Sequence, residues 1–183
     1  MKLLEILNTK KYKTDKHTTH QYIQEYYETA FAPYKDKSIS LLEIGVLHGE
    51  SLKLWHDYFS SAEIHGIDIY HRVSYENVIN NVKNLDVKLH EVDSFKENEY
   101  AVNTRERFFE AIKTTKFDII IDDGLHSAES QFKTFHNFKS CMNKGGIYVI
   151  EDIRDSSVQH LSTIDNIEFL HLNDKGHPAG KQY

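Results

Sequence analysis

Short apolar runs alternate along this chain with segments whose apolar residues recur at helical spacing. The runs cover residues 41–46, 63–69, 87–92, 117–121, 147–150 and 167–172. Strands that alternate with helices predict a parallel sheet with right-handed crossovers and helices on both faces. We therefore expect an α/β fold with a single doubly wound, mostly parallel sheet. In such sheets, ligands bind beyond the carboxyl ends of the strands.

The segments between the runs predict four crossover helices, and one more helix precedes the sheet. The predicted apolar faces are, in chain order, Leu52, Trp55, Tyr58 and Phe59; Val78, Ile79, Val82 and Leu85; Phe108, Phe109 and Ile112; and Phe132, Phe135, Phe138 and Met142. The last of these helices should stop at the Asn-Lys-Gly-Gly turn of residues 143–146. The helix before the sheet carries Tyr22, Ile23, Tyr26, Tyr27, Ala30 and Phe31, with Thr18 or Thr19 as its N-cap. We divide the chain into an N-terminal helical cap segment, 1–38, and one α/β domain, 39–183.

Charge and composition exclude several classes of partner. The formal net charge of −6 opposes binding to nucleic-acid phosphates or anionic lipid, so we expect a small-molecule partner, without nucleic acid or membrane. No apolar run resembles a signal peptide or approaches membrane-spanning length, which predicts a cytoplasmic protein. The single cysteine, Cys141, is expected to be a core thiol.

A glycine motif follows the first predicted strand: Glu43-Ile-Gly45-Val-Leu47-His-Gly49. Glycines there let the backbone turn sharply and let a ligand approach closely. A dinucleotide-binding fingerprint would have a second close glycine where Leu47 stands, so an NAD-dependent dehydrogenase is the weaker interpretation. The glycine pair alone is equally typical of a structural turn. Ser51 follows the second glycine and is included in the predicted cofactor site.

Acidic residues follow the next two predicted strands. Asp68 ends the second strand, where a carboxylate can accept both ribose hydroxyls of a nucleotide. Asp93 ends the third strand and is placed to meet an adenine, although an aspartate that caps a helix or closes a turn is an equal alternative.

Four carboxylates end the fourth and fifth strands: Asp122, Asp123, Glu151 and Asp152. Adjacent parallel strands lie about 4.8 Å apart, so Asp123, Glu151 and Asp152 can converge. Their mutual repulsion would be relieved by a divalent cation with oxygen ligands, for which Mg²⁺ is suited. The alternative is that these acids cap helices or face solvent. His126, three residues after Asp123, is placed to act as a general base near neutral pH.

Together these motifs resemble a known family. The Glu43-x-Gly-x-x-x-Gly motif, with Asp68 and Asp93 on successive strand ends, is similar to the S-adenosylmethionine site of class I methyltransferases. Asp123-Gly-Leu-His126, followed by Gly-Gly-Ile-Tyr-Val-Ile-Glu-Asp at 145–152, resembles the metal-dependent sugar O-methyltransferases of macrolide biosynthesis, the mycinamicin type. Residues 14–16 and 18–22 resemble the segment of that family that folds over the cofactor.

The resemblance implies a function and a set of roles. The chain is expected to transfer a methyl group from S-adenosylmethionine to a hydroxyl of a sugar or glycosylated small molecule, with Mg²⁺. The implied cofactor residues are Glu43, Gly45, Gly49, Ser51, Asp68, Asp93 and Asp122. Asp123, Glu151 and Asp152 are implied to hold the metal, and His126 to be the catalytic base. A catechol-type methyltransferase and an inactive cofactor-binding module remain alternatives.

The chain departs from the family pattern in two places. Leu125 stands where the family has a small polar residue, which predicts that a hydrogen bond beside the base is missing. After the run at 167–172, the remaining polar residues cannot supply the long apolar seventh strand that closes the family's sheet. We therefore predict that the last antiparallel strand is absent and that a homo-oligomer can form through the open sheet edge.

Overall fold

A single parallel sheet forms the centre of the molecule in the computed structural model, which describes residues 1–113 and 115–170. Its strands are β1 (Ser38–Ile44), β2 (Ser61–Asp68), β3 (Val87–Glu91), β4 (Phe117–Asp122) and β5 (Met142–Ile150). They lie in the order β3-β2-β1-β4-β5, and every described pair is parallel. The predicted α/β class and parallel sheet are confirmed.

The N-terminal segment is helical but interrupted. It contains α1 (Leu3–Lys10), α2 (Asp15–Thr18), a π-helical turn (Ile23–Tyr27), α3 (Glu28–Ala30) and a 3₁₀ turn (Ala32–Tyr34). Neither Thr18 nor Thr19 is the N-cap of a long helix, because the amide of Thr19 bonds to Asp15 and closes α2. The wider π turn presents Tyr27 inward, where its side chain is buried.

Five further helices follow the chain between and after the strands. They are α4 (Glu50–Tyr58), α5 (Tyr75–Val82), α6 (Glu99–Ile112), α7 (Ala128–Phe138) and α8 (Asp155–Leu161). The side chains of Ser74, Asn98 and Ser127 accept hydrogen bonds from the amides three residues on, and so cap α5, α6 and α7.

Two hydrophobic cores lie on opposite faces of the sheet, as a doubly wound fold requires. One joins the N-terminal segment and α4 to the sheet and includes Leu3, Ile23, Phe31, Leu41 and Trp55. The other lies under α6 and α7 and includes Leu42, Phe108, Phe117, Ile120 and Phe138. Residues of the N-terminal segment therefore belong to the same core as β1, so this segment is packed against the domain.

The structure corrects two predictions near the C-terminal end. Helix α7 ends at Phe138 because a 3₁₀ turn (Lys139–Cys141) follows, and Met142 and the 143–146 sequence belong to β5. The buried face of α7 comprises Ser130, Gln131, Thr134 and Phe138, so that of the predicted aromatic face Phe138 is buried while Phe132 and Phe135 are only partly buried. Residues 167–170 form no strand, and the rest of the predicted run at 167–172 lies outside the described residues.

Strand β5 is the edge of the described sheet beyond β4. Association of two chains through this edge stays a prediction. Within the described ranges, no helix has both the length and the apolar character needed to cross a bilayer.

Candidate active site

The glycine motif forms the turn between β1 and α4. Gly45 has a φ of +84°, and a Cβ there would lie 2.2 Å from the carbonyl oxygen of Asp123. A side chain at this position would force apart the loops that follow β1 and β4. Gly49 has a φ of +76° and precedes the first turn of α4. Both positions therefore require glycine for the loop to adopt this path.

A cavity of about 360 Å³ opens at the carboxyl ends of the strands. Gly45, Ser51, Asp68 and Asp93 line it, as do Asp123 and His126. Of the other predicted cofactor residues, Glu43, Gly49 and Asp122 do not line the cavity. Its position matches the crevice where parallel α/β sheets bind their ligands.

Asp68 holds the glycine turn in place. One of its carboxylate oxygens accepts hydrogen bonds from the amides of Val46 and Leu47 at 3.0 and 3.2 Å, and the other accepts from Tyr70 at 2.9 Å. Asp93 similarly accepts from the amides of Phe95 and Lys96. Asp93 thus has the turn role considered as its alternative, while it also lines the cavity. Ribose and adenine contacts stay predictions for these two residues.

Glu43 lies behind the cavity and is fully buried. Its carboxylate accepts a hydrogen bond of 3.0 Å from the indole nitrogen of Trp55 and lies 3.6 Å from the ammonium of Lys16. Burial raises the pKa of Glu43 to about 7, although Lys16 and the Ser51 hydroxyl act in the opposite direction. Its contacts therefore join β1 to α4 and to the N-terminal segment.

Asp122 and Asp123 are neighbours with different surroundings. Burial raises the pKa of Asp122 to about 8, and its Oδ1 accepts only a 3.2 Å bond from Gly124 among the described residues. Asp123 instead lies at the cavity, where its Oδ2 is 2.5 Å from the Lys16 ammonium. Successive residues of a strand point to opposite faces, and this explains the difference.

Asp123, His126 and Asp152 come together at the edge of the cavity. Each offers one ligand atom, and these atoms lie within 4.8 Å of one another. The His126 Nε2 is 3.5 Å from Asp152 Oδ2 and 4.0 Å from Asp123 Oδ1. Asp152 adopts a φ of +53°, a left-handed conformation that is costly for a non-glycine residue and is often found at functional sites. We call these three residues the Asp–His–Asp cluster.

The structure places Glu151 outside this cluster. Its carboxylate accepts hydrogen bonds from the ammonium of Lys16, at 2.7 Å, and from the hydroxyl of Tyr27. Lys16 is 1% exposed. Burial alone would lower the pKa of this ammonium, but the charges of Asp123, Glu151 and Glu43 raise it well above its usual value. Lys16 therefore stays charged at the centre of three carboxylates.

Lys16 and Tyr22 were not predicted as site residues. Tyr22 donates a 2.5 Å hydrogen bond to Asp152 Oδ1, and the ring of His20 stacks on it at 4.7 Å. The only signal in the sequence was the resemblance of residues 14–22 to a segment that covers the cofactor. Nothing in the spacing of these residues indicates which carboxylates they contact.

A second cavity, of about 510 Å³, lies beside β5. Several of its lining residues are aromatic: Tyr22, Tyr26, Tyr27, Phe135 and Tyr148. Asp152 and Glu151 also line it. The Asp–His–Asp cluster consequently touches both cavities, through Asp123 and His126 on one side and Asp152 on the other.

The donor atoms of the cluster suit a divalent cation. Two carboxylate oxygens and one imidazole nitrogen face one another, and the remaining carboxylate oxygens are held by Lys16 and Tyr22. Oxygen-rich sites of this kind are typical of Mg²⁺ or Mn²⁺, which retain water or substrate oxygens in the other positions.

A family model described as a methyltransferase domain matches residues 15–179, which is most of the chain. The chain belongs to the methyltransferase domain family. The methyltransferase family expected from the sequence is thereby confirmed. The match begins at the residue before Lys16, so the N-terminal segment that reaches the acidic residues is part of the family domain.

Similar proteins are named as O-methyltransferases of natural products. The 8-demethyl-8-α-L-rhamnosyl tetracenomycin-C 2′-O-methyltransferase of Streptomyces olivaceus is 28% identical over 150 residues, which cover 78% of this chain and 36% of the relative. The mycinamicin VI 2″-O-methyltransferase of Micromonospora griseorubida is 27% identical, over 78% of this chain and 34% of its own length. The chain thus spans roughly a third of the length of these relatives.

Solved structures agree with the fold. The MycE methyltransferase of the mycinamycin biosynthetic pathway, in complex with Mg and S-adenosylhomocysteine, superposes with a TM-score of 0.63 at 25% identity. The match covers 83% of this chain and 37% of MycE. Another MycE complex also contains mycinamycin VI and matches with a TM-score of 0.62. These neighbours confirm the Rossmann-like methyltransferase fold.

Proposed function

We propose that this protein is an S-adenosylmethionine-dependent, Mg²⁺-dependent O-methyltransferase that acts on a hydroxyl of a sugar or glycosylated small molecule. The observation that carries the proposal is the Asp–His–Asp cluster, whose three ligand atoms meet within 4.8 Å beside the cavity of the glycine turn. The relatives named above, which methylate sugar hydroxyls by their names, support the substrate class.

In the proposed reaction, the oxygen of the acceptor forms a bond to the methyl carbon as the sulfur–methyl bond breaks. The electrons of that bond stay on sulfur, which leaves S-adenosylhomocysteine, and the hydroxyl proton passes to the imidazole of His126, which as the base would not itself ligate the cation. The chain must therefore align donor and acceptor and hold the base beside the hydroxyl. The glycine turn, Asp68 and Asp93 are placed to hold the donor in the first cavity.

Asp123 and Asp152 are the carboxylates that would hold the cation, with His126 beside them. A bound Mg²⁺ makes a sugar hydroxyl more acidic by stabilising the alkoxide. Glu151, the third metal residue implied by the sequence, would have to exchange its contacts with Lys16 and Tyr27 before it could bind the cation. Its role as a ligand stays a prediction.

His126→Ala tests the base. Turnover should fall by about 10²- to 10⁴-fold, the usual contribution of a general base, while the affinity for S-adenosylmethionine stays within a few-fold of wild type. The matched control is His136→Ala, because His136 is an exposed histidine on α7 that lines neither cavity. Equal turnover in His126→Ala and wild type would refute the assignment.

Calorimetry tests the cation site. Mg²⁺ titrated into protein saturated with S-adenosylhomocysteine should give a stoichiometric heat, which Asp123→Asn should abolish because it removes a ligand charge. Asp36→Asn, an exposed aspartate before β1, is the control for loss of surface charge. Absence of binding in wild type would refute the metal-dependent mechanism and leave the methyltransferase fold unaffected.

The aromatic residues that line the second cavity favour a second candidate function, that of a catechol-type methyltransferase with the same cation chemistry. Tyr26, Phe135 and Tyr148 offer faces and edges on which an aromatic diol can pack. A panel of rhamnosides and catechols, assayed for release of S-adenosylhomocysteine, separates the two candidates. Cofactor binding without turnover on either group of acceptors would indicate an inactive cofactor-binding module instead.

A further inference from the structure

The N-terminal segment bonds one oxygen of each aspartate in the Asp–His–Asp cluster. Lys16 contacts Asp123 through Oδ2, at 2.5 Å, and Tyr22 contacts Asp152 through Oδ1, also at 2.5 Å. The oxygens that approach His126 are the other two, Asp123 Oδ1 and Asp152 Oδ2. In each of the two carboxylates, one oxygen therefore bonds to the N-terminal segment and the other faces His126.

Glu151 connects this arrangement to the core. Both of its oxygens are engaged, one by Lys16 and the other by Tyr27. Tyr27 is itself fixed by packing, since its ring lies 4.7 Å from Phe31 and 5.4 Å from Trp55. Lys16 therefore joins a rigid, buried carboxylate to Asp123.

We infer that Lys16 and Tyr22 are positioning residues, which orient Asp123 and Asp152 so that one oxygen of each faces the cation site. This inference rests on the proposed cation site and assigns it a partner, the N-terminal segment, whose contacts with these carboxylates the sequence motifs do not indicate. Outer groups that bond to metal ligands commonly contribute about 10- to 100-fold to metal affinity.

This arrangement couples binding of the cation to packing of the N-terminal segment against the site. If Lys16 and Tyr22 orient the ligands, then a bound cation must in return stabilise the seated N-terminal segment, since coupling between two binding events is reciprocal. Backbone amides of residues 14–27 should therefore exchange more slowly with deuterium when the cation is present.

Tyr22→Phe is the principal test, because it removes only the hydroxyl that bonds Asp152. Mn²⁺ binding to protein saturated with S-adenosylhomocysteine is measured from the electron paramagnetic resonance of free Mn²⁺. We expect Tyr22→Phe to bind Mn²⁺ at least tenfold more weakly than wild type, with a smaller cation-dependent slowing of exchange in residues 14–27. Tyr26→Phe is the matched control, since Tyr26 lines the same second cavity and no described hydrogen bond joins it to the cluster.

Tyr22→Phe that binds Mn²⁺ within twofold of wild type would overturn the inference, as would equal weakening in Tyr22→Phe and Tyr26→Phe. Lys16→Gln distinguishes positioning from competition: weaker binding supports a positioning role, and tighter binding would show that the ammonium competes with the cation. If wild type itself binds no Mn²⁺, the proposed cation site fails and this inference fails with it. Wild-type binding with an unaffected Tyr22→Phe would refute the positioning role alone.

Discussion

The two faces of the sheet accommodate buried polar groups in different ways. On the face covered by α4 and the N-terminal segment, Lys16 supplies a positive charge to Glu43, Asp123 and Glu151. On the face covered by α6 and α7, burial lowers the pKa of His90 to about 4 and raises that of Asp122 to about 8, so both groups are neutral near pH 6.

This difference distinguishes the candidate active site on the first face from a network of structural hydrogen bonds on the second face. On the first face the ammonium of Lys16 stays charged, while burial raises the pKa of Glu43 to about 7 and also raises the pKa values of Asp123 and Glu151. Neutral groups on the second face form hydrogen bonds with each other, as His65 Nδ1 and His90 Nε2 do at 3.1 Å. Their charge, and so their contribution to stability, depends on pH. The first face should therefore be sensitive to loss of charge, and the second to protonation.

Lys16→Met should have the largest effect. Removal of the ammonium leaves three carboxylates without compensation, and loss of one partner of a buried ion pair commonly costs about 3–5 kcal/mol. The free energy of unfolding, measured in urea, should fall by about that amount. Lys13→Met, an exposed lysine in the same segment, should change it by less than about 0.5 kcal/mol. A loss below about 1 kcal/mol in Lys16→Met would contradict a stabilising role for the Lys16 ammonium.

Asp122→Asn should stabilise the protein at alkaline pH. The folded-state pKa of about 8 lies above the value near 4 of an unfolded aspartate, so the wild type loses stability as pH rises from about 4 to about 8. Asparagine does not titrate and should be more stable by roughly 2 kcal/mol at pH 8, with the difference vanishing near pH 4. Asp36→Asn is the exposed control. A less stable Asp122→Asn at pH 8 would show that this carboxyl is ionised and paired.

His90→Gln should have the smallest effect, at acidic pH. His90 contacts His65, Lys88 adds positive charge, and Glu63 bonds His65. The folded-state pKa of about 4 lies below the value near 6.5 of an unfolded histidine, so the unfolded chain takes up the proton first and stability falls as pH drops from about 6.5 to about 4. Wild type should lose roughly 1 kcal/mol more than His90→Gln over that range, because partial exposure reduces the effect. His136→Gln should retain the wild-type pH dependence.

The strands could be predicted because a strand that is buried on both faces of a parallel sheet appears in the sequence as a continuous apolar run. The five runs from residue 41 to residue 150 each became a strand, with ends that moved by a few residues. The failures came where burial did not follow hydrophobicity. Helix α7 buries Gln131 and Thr134 because Gln131 bonds the carbonyl oxygen of Glu151, and a polar residue in that role leaves no apolar signal.

The candidate site divides in the same way. Local motifs predicted the glycine turn, the acids after β4 and β5, and the position of the site at the carboxyl ends of the strands. They could do so because strand ends and turns are encoded over a few residues. Tertiary structure places His126 beside Asp123 and Asp152, and directs the Glu151 carboxylate to Lys16 and Tyr27. Lys16, Tyr22 and Tyr27 lie more than 100 residues from the carboxylates Asp123, Glu151 and Asp152 that they contact, and only folding brings these groups together.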